Sequence, residues 1–402
     1  MHHKSSSIPE GIKVISYATT IRYIGWGFVE ALIPVFLYTF SKDYLTSALI
    51  YSSYTLFFLL ALPIVGMLVD KFGSRPLIIC GLMIYPFIGL GYVLAGVFGM
   101  AAFLIIARML NGISWAMDSV GRDTYFRKHS DMGRISEMFG YFSSLANFWW
   151  IIAMLLSIIL LKYFALHWLF IAITITSIIS LVLVVTKLKP DAEKQATNLP
   201  FNPRKIFSSI YTEIYNSNKS VKLLFLLSFF LGMLGIILDF FIPIYIYTEN
   251  ESLVKVIIIT SIFAIPGVFG KFLGKIADKG RIKMLLLGLL LFIPLLLIVP
   301  MLTFAGQLII VFCIALVNEI VWLSKEGIQT QIVPERHYGR IGGLLTLVEN
   351  FGNLLGPIIL GIAIFGQGDT SMFVLMAILI AIALIIMFRN RKLFANQAVQ
   401  DA

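Results

Sequence analysis

Twelve separate runs of about twenty mostly apolar residues recur along this chain, and that recurrence leaves it few ways to fold. They lie near 13–40, 46–69, 76–97, 101–122, 137–161, 166–186, 222–247, 253–276, 283–303, 306–327, 341–365 and 371–388. A helix needs about 20 apolar residues to cross roughly 30 Å of hydrocarbon. Only a helix or a closed barrel satisfies its own backbone there. An all-α integral membrane protein of twelve transmembrane helices is therefore expected. Composition agrees: 13% of the 402 residues are charged. That is about half the share usual in water-soluble chains, too little to coat a wet surface of this size.

The net charge of +10 raises nucleic-acid binding as a candidate, since basic patches neutralise phosphates. The placement of the charges answers it. Of the 31 lysines and arginines, 26 fall in loops and tails on one side of the predicted membrane, three (Lys42, Lys162, Lys255) on the other, and two (Arg22, Arg108) within helices. This is the positive-inside pattern of a multi-pass protein of the plasma (inner) membrane with both termini cytoplasmic, and no nucleic-acid partner is expected. Cys80 and Cys313 each sit in an apolar run, so no disulfide framework is predicted. The first run is too long for a signal h-region and lacks a cleavage site, so it is expected to stay as a helix. No phosphate loop and no metal-ligand spacing among the five histidines is found. No cofactor, no metal and no enzymatic activity are expected, and a monomer in the bilayer is the expected state.

One long connection divides the chain into a six-helix bundle (1–186), a cytoplasmic linker (187–220) and a second six-helix bundle (221–402). Within the linker, Asn202 and Pro203 suit a helix start. Ile206, Phe207, Ile210, Tyr211, Ile214 and Tyr215 follow at helical spacing, as in an amphipathic helix on the inner leaflet; an ordinary ordered loop fits as well. A shift of about 208 residues lays the halves over one another. Glu30 and Pro34 fall on Asp239 and Pro243, Pro86 on Pro294, Gly66 and Asp70 on Gly274 and Asp278. Asn111 and Trp115 fall on Asn318 and Trp322, and Gly133, Arg134, Ile135 and Asn147 on Gly339, Arg340, Ile341 and Asn353. Such residues are rare in this chain, and an even span count per half gives parallel repeats about an axis along the membrane normal.

The loop carrying Gly66, Asp70, Lys71, Phe72, Gly73 and Arg75 resembles the signature loop of the major facilitator superfamily, and Gly274, Asp278, Lys279, Arg281 and Lys283 form a second copy. The resemblance spans essentially the whole chain and implies two pseudo-symmetric six-helix bundles. It also implies that Arg75 pairs with Asp123 at the end of span four, latching the halves in one state of the carrier. Separately from the name, glycine at Gly66 permits close helix contact, Gly73 permits a tight turn, and Asp70 can accept at a helix N-terminus. These charges otherwise serve only to anchor a cytoplasmic turn.

Ionisable groups within the apolar runs cost at least about 2.5–3.5 kcal/mol on insertion scales and mark functional candidates. Arg22 and Glu30 lie eight residues apart on span one, about 12 Å in rise, too far to pair. Glu30 and Asp239 each precede a proline by four residues. The resemblance places both of their helices along a central cavity, where the carboxylates would bind a proton or a cationic solute. Arg108, Asn111 and Gly112 resemble a motif of proton-coupled drug exporters. Glu319 on span ten is a site candidate or a partner for Lys325. Glu349 precedes Gly352, Gly356, Pro357 and Gly361, a run like the exporters' glycine-proline motif, which exporters carry on span five; the matching segment here, Ala146, Trp150 and Ile151, lacks it. Trp26, Trp115, Trp149, Trp150 and Trp322 can stack on a substrate or serve as packing and interface anchors.

The leading expectation is a secondary transporter of small organic solutes that exports amphipathic or cationic compounds against a proton or other coupling ion. The alternatives are proton-coupled uptake of a sugar, peptide or other metabolite, and a transport-inactive membrane receptor.

Overall fold

The computed structural model of the protein describes residues 8–129, 135–189, 217–332, 338–364 and 368–394. The amphipathic helix expected over 202–215, and Gly133 and Arg134 of the repeat, lie outside them. Every regular element among the described residues is helical. Ten helices are long and apolar enough to cross a membrane, eleven when the pair Leu253–Val268 and Phe272–Asp278, bent by 63°, counts as one span. The run expected as a fourth span is helical from Ala101 to His129 but is not among these, because it carries Arg108, Asp118, Arg122 and Asp123 along its length.

The chain divides into two compact units, Met1–Phe40 with Ser53–Pro203, and Ser41–Ser52 with Arg204–Ala402. The first contains α1 (Glu10–Gly27), a 3-10 turn (Glu30–Leu32), α2 (Ile33–Ser41), most of α3 (Tyr44–Phe72), α4 (Ser74–Phe98), α5 (Ala101–His129), α6 (Ile135–Leu160), α7 (Leu166–Leu169) and α8 (Ile171–Lys187). The second contains α9 (Lys219–Ile236), a π-helical turn (Ile237–Phe241), α10 (Ile242–Asn250), α11 (Leu253–Val268), α12 (Gly270–Asp278), α13 (Arg281–Ile298), α14 (Phe304–Ile332), α15 (Tyr338–Ile364) and α16 (Ser371–Arg389).

Each unit packs by the same scheme. In the first, α4 lies against α5 and α8, and α1 against α6 and α8; in the second, α13 lies against α14 and α16, and α9 against α15 and α16. The sparse sequence repeat thus returns as a repeat of neighbours. Large apolar side chains such as Phe87, Phe98, Phe272 and Ile309 are exposed, as expected when lipid, not water, is the outer solvent.

The first turns of α3, through Ser52, group with the second unit. Tyr44 donates its hydroxyl to Asp369 Oδ2 at 2.8 Å and stacks on Phe241 at 6.2 Å, and Ser52 Oγ donates to the Leu354 carbonyl at 3.1 Å. Asp43 caps this helix, its Oδ2 accepting from the Thr46 N–H at 2.7 Å. That bond to the ionised form holds the Asp43 carboxyl below the usual carboxylate range. A depressed folded value stabilises above the unfolded one, near 3.9, and the benefit is lost as pH falls through the folded value. Asp43→Ala is expected to cost about 0.5–2 kcal/mol at neutral pH. In thermal unfolding, the gap to the unsubstituted protein should close as pH drops below about 3.9.

Candidate functional site

The chain places its two symmetry-related carboxylates at two broken helices, and the break has one cause in both. A proline in a helix withholds an N–H from the carbonyl four residues earlier and crowds it. For Pro34 that residue is Glu30, and for Pro243 it is Asp239. At the first position α1 ends at Gly27 and the 3-10 turn starts on Glu30; at the second the helix widens into the π-helical turn around Asp239. Single π turns recur at functional sites because they re-aim a side chain. Both acids keep accessible surface although their neighbours in sequence are buried.

In the first unit, Trp150 Nε1 donates to Glu30 Oε2 at 2.8 Å. Glu30 enters no ion pair among the described residues, and its Oε1 has no protein hydrogen bond there. Arg108 is buried at 4% exposure, with its guanidinium 4.8 Å from the Tyr54 ring. Gly112, one turn on, makes this approach possible: a Cβ there would collide with the Tyr54 carbonyl. Asn111 is buried beside them.

The strongest charge cluster contains two residues outside the predicted set. Asp118 on α5 is 2% exposed and accepts through Oδ2 from Arg22 Nη2 at 2.6 Å and from Arg122 Nη1 at 3.0 Å. Rings close around it. Arg22 lies 4.4 Å from the Tyr85 centroid and 5.5 Å from that of Trp115, while Arg122 lies 5.6 Å from the Trp115 centroid and 4.7 Å from that of Phe142. The signal was present in the sequence, since an aspartate four residues before an arginine inside a helical run is an ion-pair spacing.

In the second unit Lys325, buried, reaches Glu349 Oε2 at 2.6 Å and Glu326 at 3.2 Å. Glu319 is six residues away on α14, on a different face of the helix, and half-buried with its Oε1 facing Gly270. Asp118 and Lys325 are related by the same offset as Trp115 and Trp322, so equivalent positions on α5 and α14 hold buried charges of opposite sign.

In each signature loop an arginine donates to a backbone carbonyl of another helix, though the two helices are not equivalent in the repeat. Arg75 Nη2 donates to the Val185 carbonyl at 3.0 Å, and Arg281 donates to Asp278 at 2.8 Å and to the Gly327 carbonyl at 3.0 Å. Asp123 lies 3.4 Å from Arg122. Gly73 adopts a φ of 87°, the left-handed turn that favours glycine. A Cβ at Gly66 or at Gly274 would meet no heavy atom within 4 Å among the described residues. Asp70 lies in the last turn of α3, with its side chain outside the described residues.

The model of the Major Facilitator Superfamily matches residues 15–324 and 272–399. An uncharacterized MFS-type transporter of Methanocaldococcus jannaschii is 21% identical over 375 residues, 92% of this chain and 95% of the relative. Among solved structures, a variant of the nucleoside transporter NupG superposes with a TM-score of 0.76 at 15% identity, covering 94% of this chain and 99% of that one. The xylose transporter XylE from E. coli gives 0.72 at 13%, covering 94% and 96%. A bacterial homolog of the human lysosomal transporter Spinster gives 0.75 at 16%, covering 98% and 99%. At these identities the structures share the fold, and the family match decides membership: this chain belongs to the major facilitator superfamily.

Proposed function

We propose that this membrane transporter of small molecules is a proton-coupled carrier that takes up a polar organic solute, with Glu30 as the group that takes the proton. The observation that carries this reading is the contrast among the acids within its helices. Asp118 and Glu349 are pinned by cations, whereas Glu30 is accessible and held by one neutral donor, the indole of Trp150. An indole N–H cannot supply a proton, so it orients the carboxylate without neutralising it. Oε1 remains open to a proton or to a solute hydroxyl. Asp239, at the corresponding break of the second unit, is proposed as a further proton-accepting carboxylate of that unit.

Uptake is favoured over export by the missing glycine-proline run on α6, and by structural neighbours whose names give nucleosides and xylose. The observation on the side of export is the Arg108, Asn111 and Gly112 motif, held against Tyr54. We also take Ala101–His129 as the twelfth span, the charge bias as placing both termini in the cytoplasm of a plasma-membrane protein, and the working unit as a monomer.

Proteoliposomes test the assignment, with a labelled solute chosen by a stability screen of nucleosides, pentoses and organic acids. Glu30→Gln is expected to keep solute exchange across the bilayer while losing accumulation driven by a pH gradient. Accumulation by Glu30→Gln at the unsubstituted rate removes Glu30 from the coupling.

A further inference from the structure

We propose that the transported solute carries an anionic group, a carboxylate or a phosphate, received by Arg22 and Arg122 in the first unit. This rests on the carrier reading above and adds the charge of the cargo.

The charge balance points this way. Helices α1 and α5 bury three arginines, Arg22 at 0%, Arg108 at 4% and Arg122 at 6% exposure. Against them stand Asp118 and Glu30, while Asp123 sits at the rim with its side chain 45% exposed. Among the described residues of these two helices three buried arginines face one fully buried acid, Asp118, in a medium where a lone cation is costly. Its one central acid is also shared sparingly, because both guanidiniums use the same oxygen, Asp118 Oδ2.

The donors left over are specific. Arg22 Nε and Nη1 are buried with no hydrogen-bond acceptor among the described residues, and a buried donor without a partner costs about 1–3 kcal/mol. The Tyr85 and Trp115 rings lie 4.4 and 5.5 Å from the guanidinium carbon, and the N–H donors of a guanidinium point outward in its own plane. An acceptor in that plane is what carboxylates and phosphates offer, and their bonds to arginine are about twice as strong as those of neutral acceptors. Glu30 ties the anion to the proton. Counting Asp123, which pairs with Arg122, the three arginines and three acids balance with Glu30 ionised, and protonating Glu30 leaves a charge of +1. An anion and a proton therefore enter more favourably together than apart, as symport requires.

The test is thermal unfolding of the full chain in detergent at constant ionic strength, with probes in charge-matched pairs: D-glucuronate against D-glucose, and uridine monophosphate against uridine. A ligand that binds only the native state raises its apparent stability. At least one anionic member should stabilise while its neutral partner does not. Arg22→Gln should weaken that effect at least about tenfold in apparent affinity, roughly 1.4 kcal/mol. If Arg22→Gln does not fold, Arg122→Gln replaces it with the same expectation. Equal stabilisation by the neutral partners, retention of the effect in the arginine variant, or no stabilisation by either anion overturns the proposal. Glu30→Gln should retain the anion effect. A loss of pH-driven accumulation with anion binding intact thus separates failure of the coupling reading from failure of this one.

Discussion

Asp118→Ala is expected to cost about 3–5 kcal/mol, enough to leave little folded protein, because it strands two cations at once. Arg22 is fully buried, Arg122 nearly so, and Asp118 Oδ2 is the acceptor both of them use. Arg22 is wholly buried with its head against Tyr85, so it has no short rotation to water. The loss belongs to the uncompensated charges more than to the bonds themselves. Replacing all three groups, as in R22M/D118L/R122M, should therefore recover most of the stability, since buried ion networks exchanged for apolar groups of similar volume are often neutral or stabilising. Unfolding followed by tryptophan fluorescence reads both variants. A single Asp118→Ala that melts with the unsubstituted protein would show that water reaches the arginines. A triple variant no better than the single one would show that the cluster fixes helix placement and not merely charge. Transport separates the roles further: the stable triple variant should be inactive if the arginines receive the solute.

The sequence made some of this legible and hid the rest for definable reasons. Helix positions followed from apolar runs. The two broken spans followed from Pro34 and Pro243, because a proline acts on the residue four before it and so names Glu30 and Asp239 directly. The repeat was readable because residues scarce in an apolar chain carry it. What the sequence did not reveal was partnership. Arg22 and Asp118 are 96 residues apart, and no local spacing joins them. Asp118 and Arg122 stand near the end of an apolar run, where charges read naturally as the start of a cytoplasmic loop. Lys325 was paired with Glu319 by proximity in sequence, but helical geometry turns those two apart and brings Glu349 from another helix to 2.6 Å instead. The signature loop shows the same division. The turn at Gly73 is local and was predictable, while the acceptor of Arg75, the carbonyl of Val185, lies 110 residues on.

Gly352→Leu is expected to disrupt the second unit by forcing α9 and α15 apart. The two helices meet through a reciprocal pair of glycines: a Cβ on Gly352 would overlap the Phe229 carbonyl, and a Cβ on Gly232 would overlap the Glu349 carbonyl. Both obstacles are backbone, so neither can swing aside as a side chain would. Membrane helices associate chiefly through such close packing, because lipid offers no hydrophobic drive between them. Even alanine at either position should cost about 1–3 kcal/mol, the usual range for overpacking, with leucine beyond it. The damage reaches the charged cluster too. Glu349 lies one turn before Gly352, and moving α15 outward draws its carboxylate away from Lys325 on α14, leaving a buried lysine with only Glu326. A mutant cycle decides whether the contact is shared. Once one alanine has separated the helices, the second has less to displace, so G232A/G352A should cost clearly less than the sum of the single changes. Strict additivity in thermal unfolding would mean that each glycine relieves a separate, local collision, and that the helix crossing itself does not depend on the pair.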